Sequence, residues 1–240
     1  MRAIAFFKTK PPQCYKGIRV MADTDLHDQL AAVVTSILPK GARILDYGAG
    51  EGALSGRLHD LGYQVYSVDR SRSDFKAETE FEQIDFNKAE EITAFQKKHA
   101  DSFDLVLGIE VIEHVENPWQ YLRDLKRLVR PGGYVLLSTP NVTSWYSRVT
   151  FFFTGRLHQF GDGDRHYGHI NPLFEDELRL IAQQIGLTIE SVRPGGWLPR
   201  LWLSWSPRIM LRHFFGFCGS FLMKGTFQGW CLIVLMKRPQ

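Results

Sequence analysis

Five short apolar runs alternate with longer helical segments between residues 43 and 138. The apolar runs cover residues 43–47, 64–68, 81–85, 103–107 and 134–138. The helical segments cover residues 53–61, 89–99 and 119–129. Short buried strands that alternate with helices are typical of a parallel sheet with helices on both faces. The pattern therefore predicts an α/β domain.

The first apolar run leads directly into a glycine-rich turn that opens a helix. This stretch reads Ile44-Leu45-Asp46-Tyr47-Gly48-Ala49-Gly50-Glu51-Gly52. Glycines let the backbone approach a ligand closely, and the first turn of a helix offers free N–H groups. The loop therefore predicts a ligand-binding site.

Acidic residues stand at or near the ends of the first three predicted strands, at Asp46, Asp69 and Asp85. The Asp69 carboxylate suits the two hydroxyl donors of a ribose, and Asp85 can accept from an adenine amino group. Asp46 would attract an ammonium group and repel a pyrophosphate. The spacing Gly48-x-Gly50-x-x-Ala53 also satisfies the dinucleotide fingerprint. An NAD(P)-binding oxidoreductase is therefore an alternative.

Five strings in this order carry a family resemblance that spans roughly residues 26–192. They are ILDYGAGEG, YSVDRS, QIDF, FDLVLGIEVIEHVENP and LVRPGGYVLLSTPN. Taken together, they resemble class I S-adenosylmethionine-dependent methyltransferases, and they are similar to the ubiquinone-pathway O-methyltransferase-like group. The resemblance implies a Rossmann-like α/β fold with a seven-stranded, mostly parallel sheet. It also implies strand order 3-2-1-4-5-7-6, helices on both faces and an antiparallel last strand.

The same resemblance implies that S-adenosylmethionine is the cofactor and assigns residues to it. The methionine moiety would lie in the loop formed by Asp46, Tyr47, Gly48, Gly50 and Gly52. Asp69 would bind the ribose hydroxyls, with Arg70 beside the adenine. The remaining contacts would come from Asp85 and Phe86 at the adenine and from Glu110 near the sulfonium. Close relatives carry Gly-Cys-Gly where this chain has Gly48-Ala49-Gly50, and alanine is small enough to keep the site.

Two carboxylates and a histidine follow the fourth predicted strand in the string Glu110-Val111-Ile112-Glu113-His114. Residues three or four apart share a face of a helical turn, so these side chains can converge. With a later histidine, His169 or His166, they would suit Mg²⁺ or Zn²⁺. The alternative is that the string belongs to methyltransferases that use no metal. Glu110 and His114 then shape the pocket, and Glu113 caps the next helix.

A hydroxyl acceptor benefits from a base, and an imidazole can serve at neutral pH. His114, His166 and His169 are the candidate catalytic residues. Each of them can equally be a hydrogen-bonded structural histidine.

Charge is distributed unevenly along the chain. Residues 191–240 contain seven Lys and Arg and no Asp or Glu, although the net charge of the whole chain is only +3. Within this part, residues 197–224 combine large apolar side chains with Arg200, Arg208 and Arg212. This combination suits an element at an anionic membrane surface, but a packing cover or a dimer interface is an equal alternative. Nucleic acid is a less favoured partner because the aromatics cluster with aliphatic residues.

The three cysteines, Cys14, Cys218 and Cys231, are far apart in the sequence. Neither a disulfide framework nor a zinc–thiolate site is expected, and a reducing cytoplasm suits the chain. The expected location is cytoplasmic, with peripheral contact to a membrane. The sequence contains no charge-free run of about 18 apolar residues, so it does not predict a membrane-spanning helix.

These observations combine into one prediction of organisation and function. Residues 1–22 form an arm, and residues 23–240 form the methyltransferase domain, whose first helix is capped by Asp23 or Thr24. An acceptor-binding insertion is expected at about 142–172 and an aromatic, basic insertion at about 197–224. The predicted reaction is O-methylation of a small-molecule or lipid-linked acceptor. Alternatives are an RNA 2′-O-methyltransferase, the oxidoreductase, and a non-catalytic cofactor-binding subunit.

Overall fold

The computed structural model describes residues 4–6, 13–86, 88–203 and 205–240. Its main sheet has seven strands: β1 (Arg43–Tyr47), β2 (Gln64–Asp69), β3 (Glu80–Gln83), β4 (Phe103–Ile109), β5 (Val129–Pro140), β6 (Thr188–Gly195) and β7 (Cys231–Lys237). Their spatial order is β3-β2-β1-β4-β5-β7-β6. The first five strands are parallel, and β7 is antiparallel to both β5 and β6. The predicted fold class and strand order are confirmed.

Eight α-helices accompany the sheet within the described residues. They are α1 (Leu26–Ile37), α2 (Ala53–Asp60), α3 (Ala89–His99), α4 (Pro118–Leu128), α5 (Trp145–Thr154), α6 (Asp162–His166), α7 (Glu175–Ile185) and α8 (Pro207–Ser220). Buried side chains of α1 and α2 share one apolar cluster with one face of the sheet. Those of α3, α4 and α7 share another cluster with the opposite face. The sheet is therefore covered on both sides, and its strands are buried as near-continuous apolar runs.

The two predicted insertions contain helices that the sequence pattern did not reveal. Residues 142–172 contain α5 and α6, and residues 197–224 contain α8 and the short strand Leu201–Leu203. That strand pairs in parallel with Ile4–Phe6. A third apolar cluster includes Trp145 and Leu198. It joins α5 to the residues that come directly before β7. Of the predicted arm, residues 1–3 and 7–12 lie outside the described residues.

The prediction that Asp23 or Thr24 caps α1 is wrong. Asp25, with φ 66°, occupies the N-cap position, and no side chain caps the helix. The Asp23 carboxylate instead accepts a hydrogen bond from the backbone N–H of Trp197, with N···Oδ2 2.7 Å. The Asp23 carboxylate therefore binds the backbone of Trp197, which is distant in sequence, and does not cap the nearby helix.

Asn141 follows β5 directly and positions the loop that enters β7. Its buried side-chain amide donates to the backbone carbonyls of Thr226 and Gln228, both at 2.8 Å. Its backbone N–H donates to the carbonyl of Trp230 at 2.7 Å. One side chain thereby fixes the approach of Trp230 and Cys231 to the end of the sheet.

We expect Asn141→Ala to lower the free energy of unfolding by about 2 kcal/mol, because two backbone carbonyls lose their donor. Urea unfolding followed by circular dichroism measures the change. Asn117→Ala is the matched control: Asn117 caps the exposed start of α4 by accepting from the backbone N–H of Gln120. Its loss should cost about 1 kcal/mol. Equal losses in the two variants would contradict a special role for Asn141.

Candidate active site

One large cavity of about 1420 Å³ opens at the carboxyl ends of the parallel strands. Ligands of open α/β sheets bind at this edge. Most residues that the sequence assigned to a site line the cavity: Asp46, Tyr47, Gly48, Gly50, Asp69, Arg70, Asp85, Phe86, Glu110, His114 and His169. The fold therefore brings together residues that are up to 123 positions apart in the sequence, from Asp46 to His169.

The glycine loop after β1 has left-handed backbone at all three glycines. Gly48 has φ 102°, and a Cβ there would lie 2.5 Å from Cγ2 of Val111. Gly50 has φ 55°, and a Cβ there would meet nothing within 4 Å, so this part of the loop is open. Gly52 has φ 89° and forms the N-cap of α2, closely packed against Phe75. The loop needs glycine for both backbone conformation and close packing.

The carboxylate of Asp69, at the end of β2, is oriented by the backbone. Its two oxygens accept from the N–H groups of Gly50 and Arg70, at 2.8 and 2.7 Å. A carboxylate has about four acceptor positions, so it retains capacity for two hydroxyl donors. Phe86, after β3, packs its ring 4.6 Å from that of Tyr47 and extends the wall of the cavity.

Asp46 is a buried carboxyl group beneath the glycine loop. Its side chain is only 2% exposed and accepts a hydrogen bond from Oγ of Ser55 at 2.6 Å. Burial raises the pKa of Asp46 to about 6, against the stabilising bond from Ser55 and with a further contribution from the negative Asp69. A buried, ionisable carboxyl group beside a cavity is typical of functional sites.

Glu110 lies where β4 ends, in left-handed backbone with φ 53°. Its carboxyl oxygens accept from Oγ of Ser138 at 2.7 Å and from the thiol of Cys231 at 3.3 Å. Burial raises its pKa above the usual value. A non-glycine residue in this backbone region is strained, and such strain concentrates at functional sites.

A second group of side chains, Glu113, His114 and His169, faces the same end of the sheet. One potential ligand atom from each lies within 4.8 Å of the others. The segment that carries His169 is held there because the backbone N–H groups of Ile170 and Asn171 both donate to the carbonyl of Glu113 at 3.0 Å. The carboxyl group of Glu110 is not part of this group, since Ser138 and Cys231 hold it.

Burial shifts the pKa values of two members of this group, Glu113 and His114. Glu113 is fully buried, and burial together with neighbouring Glu110 raises its pKa well above the usual value. Within the described part of the chain, its Oε1 atom has no hydrogen-bond partner. Burial, with nearby His169, lowers the pKa of His114. Its imidazole is therefore neutral at neutral pH.

His169 has a defined tautomer. Its Nδ1 atom lies 2.8 Å from the carbonyl oxygen of Gln159. A carbonyl can only accept, so Nδ1 carries the hydrogen and Nε2 carries the lone pair of the neutral ring. Gln159 holds this carbonyl from a left-handed backbone conformation with φ 66°.

Three predicted residues do not line the cavity. Gly52 caps α2, Glu113 lies buried behind the cavity wall, and His166 is exposed on α6. Conversely, the sequence reasoning missed lining residues such as Asp23, His158 and Trp230. The His158 ring packs 4.5 Å from the Trp230 ring. For His158 and Trp230 the signal was their place in or beside aromatic-rich segments, and Asp23 had been assigned only as a helix cap.

A family model described as a methyltransferase domain matches residues 21–192. That match covers most of the chain and includes the glycine loop, the strand-end acids and the His114–His169 group. The chain belongs to this family. The resemblance to class I S-adenosylmethionine-dependent methyltransferases is thereby confirmed.

Curated relatives of this methyltransferase domain include two proteins named ubiquinone biosynthesis O-methyltransferase. The protein from Maricaulis maris is 37% identical over 110 residues, which cover 44% of this chain and 43% of that protein. The protein from Xanthomonas axonopodis pv. citri is 34% identical over 120 residues, which cover 48% and 50%. The chain thus spans half or less of the length of these relatives.

Solved structures share the fold of this methyltransferase domain. A SAM-dependent methyltransferase from Archaeoglobus fulgidus matches with a TM-score of 0.57 and 16% identity over 88% of this chain and 94% of that one. A second match is a putative methyltransferase from Haloferax volcanii, solved in complex with the Trm112 methyltransferase activator. It has a TM-score of 0.60 and 16% identity over 90% and 92% of the two chains. At this identity, both matches establish the fold alone.

The buried Asp46 makes a pH prediction with a defined sign. Its folded-state pKa of about 6 exceeds the unfolded value of about 3.9. Its protonated form therefore stabilises the fold at low pH, and this contribution is lost as pH rises through about 6. We expect Asp46→Asn to become more stable than the wild type by about 3 kcal/mol between pH 4 and pH 7. Urea unfolding across this range measures the difference, and a pH-independent difference would contradict the prediction.

Proposed function

We propose that this protein transfers the methyl group of S-adenosylmethionine to an oxygen atom of a small-molecule acceptor. The observation that carries this proposal is the composition of the large cavity at the carboxyl ends of the strands. One side of the cavity is formed by the glycine loop and the acids at the strand ends. The other side is lined by Glu110, His114 and His169. The first side suits the cofactor, and the second suits a hydroxyl group that must lose a proton.

The residues of the cofactor side fit the chemical groups of S-adenosylmethionine. Asp69 has acceptor capacity for the two ribose hydroxyls. Asp46 offers a carboxylate for an ammonium group, and the open backbone at Gly50 allows close approach. When bound, the cofactor supplies an electrophilic methyl group. The protein then has to orient the acceptor and exclude water.

The histidines of the acceptor side supply the proton acceptor. Nδ1 of His169 donates to the carbonyl of Gln159 at 2.8 Å, which leaves Nε2 as the nitrogen that can accept a proton. The lowered pKa of His114 keeps a second imidazole neutral. Either nitrogen base can take the hydroxyl proton as the oxygen attacks the methyl carbon.

The choice of oxygen is supported by the curated relatives that are named O-methyltransferases. They also favour a small-molecule acceptor over the RNA alternative. We extend the proposal to a lipid-linked acceptor that is delivered at a membrane surface. This extension is supported by exposed apolar residues: Tyr167, which lines the cavity, and Phe152, at the end of α5. No helix within the described residues is long and apolar enough to cross a bilayer.

Calorimetric titration with S-adenosylhomocysteine and, in parallel, NAD⁺ tests the cofactor class. We expect micromolar binding of the first and none of the second. Asp69→Ala should weaken binding at least about tenfold, because the ribose hydroxyls lose a charged acceptor. Glu90→Ala, an exposed acid on α3 outside the cavity, should bind like the wild type. Binding of NAD⁺ alone would overturn the methyltransferase reaction.

Three histidine variants separate the catalytic from the structural interpretation. We expect His114→Ala or His169→Ala to lower kcat by about 10²–10⁴-fold, because the hydroxyl acceptor loses its base. Affinity for S-adenosylhomocysteine should stay within about threefold. His166→Ala is the matched control, since His166 is exposed and outside the cavity. Release of S-adenosylhomocysteine with a panel of phenols measures turnover. Wild-type turnover in all three variants would exclude these bases.

A divalent cation is the second candidate for the same group of residues. The orphan Oε1 of buried Glu113 and the two imidazoles form a donor set of one oxygen and two nitrogens. This set fits a borderline divalent ion such as Zn²⁺, and Mg²⁺ with additional water ligands. A cation there would orient a hydroxyl oxygen and lower its pKa.

Dialysis against EDTA distinguishes the base from the cation. If the histidines act as bases alone, turnover survives dialysis undiminished, and we expect this result. Loss of turnover that Mg²⁺ or Zn²⁺ restores would instead establish the cation. In that case its affinity should rise with pH, because Glu113, whose pKa is raised, must release a proton to bind it.

A further inference from the structure

Helix α8 exposes most of its large apolar side chains, which is unusual for a surface helix of a globular protein. Among the α8 residues whose burial the structure describes, His213, Gly216 and Ser220 are buried and Phe217 is partly buried. The opposite side exposes large apolar residues at 209–211 and 214–215. A surface helix normally buries its apolar stripe and exposes its polar one. The exposed apolar face of α8 is therefore suited to contact with an apolar partner, such as another protein surface or a lipid bilayer.

The end of α5 continues this exposed face. The two helices pack closely, since a Cβ on Gly216 would lie 2.6 Å from the ring of Trp145. The last turn of α5 exposes three consecutive phenylalanines at 151–153, of which Phe152 is 82% exposed. Leu222, just after α8, is 87% exposed. We call residues 151–153, 209–211, 214–215 and 221–222 the α5–α8 apolar surface.

The charge of the surrounding chain identifies what this surface would contact. Residues 142–161 contain two Lys or Arg, and residues 196–230 contain four, while neither segment contains an Asp or Glu. Arg156 of the first segment is paired with Asp162, just beyond it, so the excess of positive charge comes from residues 196–230. In a twofold dimer, this acid-free segment would face its own copy, and like charges would meet. An anionic lipid headgroup layer offers both the negative charge and the apolar depth.

The α5–α8 apolar surface lies on the back of the cavity wall. Tyr146, on the buried face of α5, packs edge-on against His158 and Trp230, with ring centroids 4.7 and 5.3 Å apart. Both partners line the cavity. Helix α5 therefore separates the cavity from the apolar surface by the thickness of one helix.

We propose that the α5–α8 apolar surface docks this protein on an anionic lipid bilayer, with the cavity beside the bilayer surface. The phenylalanines enter the headgroup region, and the exposed Arg200 and Lys224 contact lipid phosphates. The lipid-linked acceptor rests on the proposed function, whereas docking itself needs neither cofactor nor acceptor.

Sedimentation with lipid vesicles tests the docking. The full chain is mixed with vesicles of phosphatidylcholine, or of equal parts phosphatidylcholine and phosphatidylglycerol, at low and high salt. We expect binding to the anionic vesicles, weakened by salt, and at most weak binding to the neutral ones. The double variant Phe214→Gln/Phe215→Gln should bind at least about tenfold less. Leu180→Gln, an exposed apolar residue on α7, is the matched control and should bind like the wild type.

Two results would overturn the proposal. One is absence of wild-type binding to anionic vesicles at low salt, or undiminished binding of the folded double variant. The other is a dimer, seen by light scattering, that the double variant dissociates, since the surface would then belong to a second copy. Titration with S-adenosylhomocysteine without vesicles is the independent readout of the proposed function, so the two proposals can fail separately.

Discussion

The close approach of Gly48 to Val111 joins the two halves of the candidate active site. Gly48 belongs to the loop after β1, and Val111 begins the turn that carries Glu113 and His114. Any side chain at Gly48 would displace that turn, because a Cβ would lie only 2.5 Å from Val111. The glycine loop and the turn that carries Glu113 and His114 therefore pack directly against each other at this point. The parallel order of β1 and β4 makes this contact available.

Three buried carboxyl groups surround this contact, and each is costly for the fold. Burial raises the pKa of Asp46, Glu110 and Glu113. Two of them receive strong local hydrogen bonds, from Ser55 and from Ser138. Natural sequences depart from well-satisfied packing mainly at functional sites. The acids and the left-handed backbone at Glu110 are therefore a coherent signature of function at one edge of an otherwise regular sheet.

Helix α5 runs from the cavity wall to the molecular surface. Its first turns bury Trp145 and Tyr146 against the cavity wall, while its last turn exposes Phe152. Helix α8 covers part of α5 with small and polar residues and leaves its own apolar face outside. Around these two helices the usual distribution, with apolar side chains buried and polar ones exposed, is thus reversed. The rings of Tyr146, His158 and Trp230 form the contact between α5 and the cavity wall.

The sequence by itself determined the parallel sheet and the residues at its carboxyl edge, because alternating buried strands and helices allow few topologies. The strand order followed from the family resemblance. Asp69 and the glycines were readable because their local spacing has a physical meaning. Tertiary structure alone decided that His169, and not His166, joins His114, since a backbone contact to Glu113 selects between them. It also decided that Glu110 bonds Ser138 and Cys231. Such pairings depend on contacts between distant segments, which local patterns do not encode.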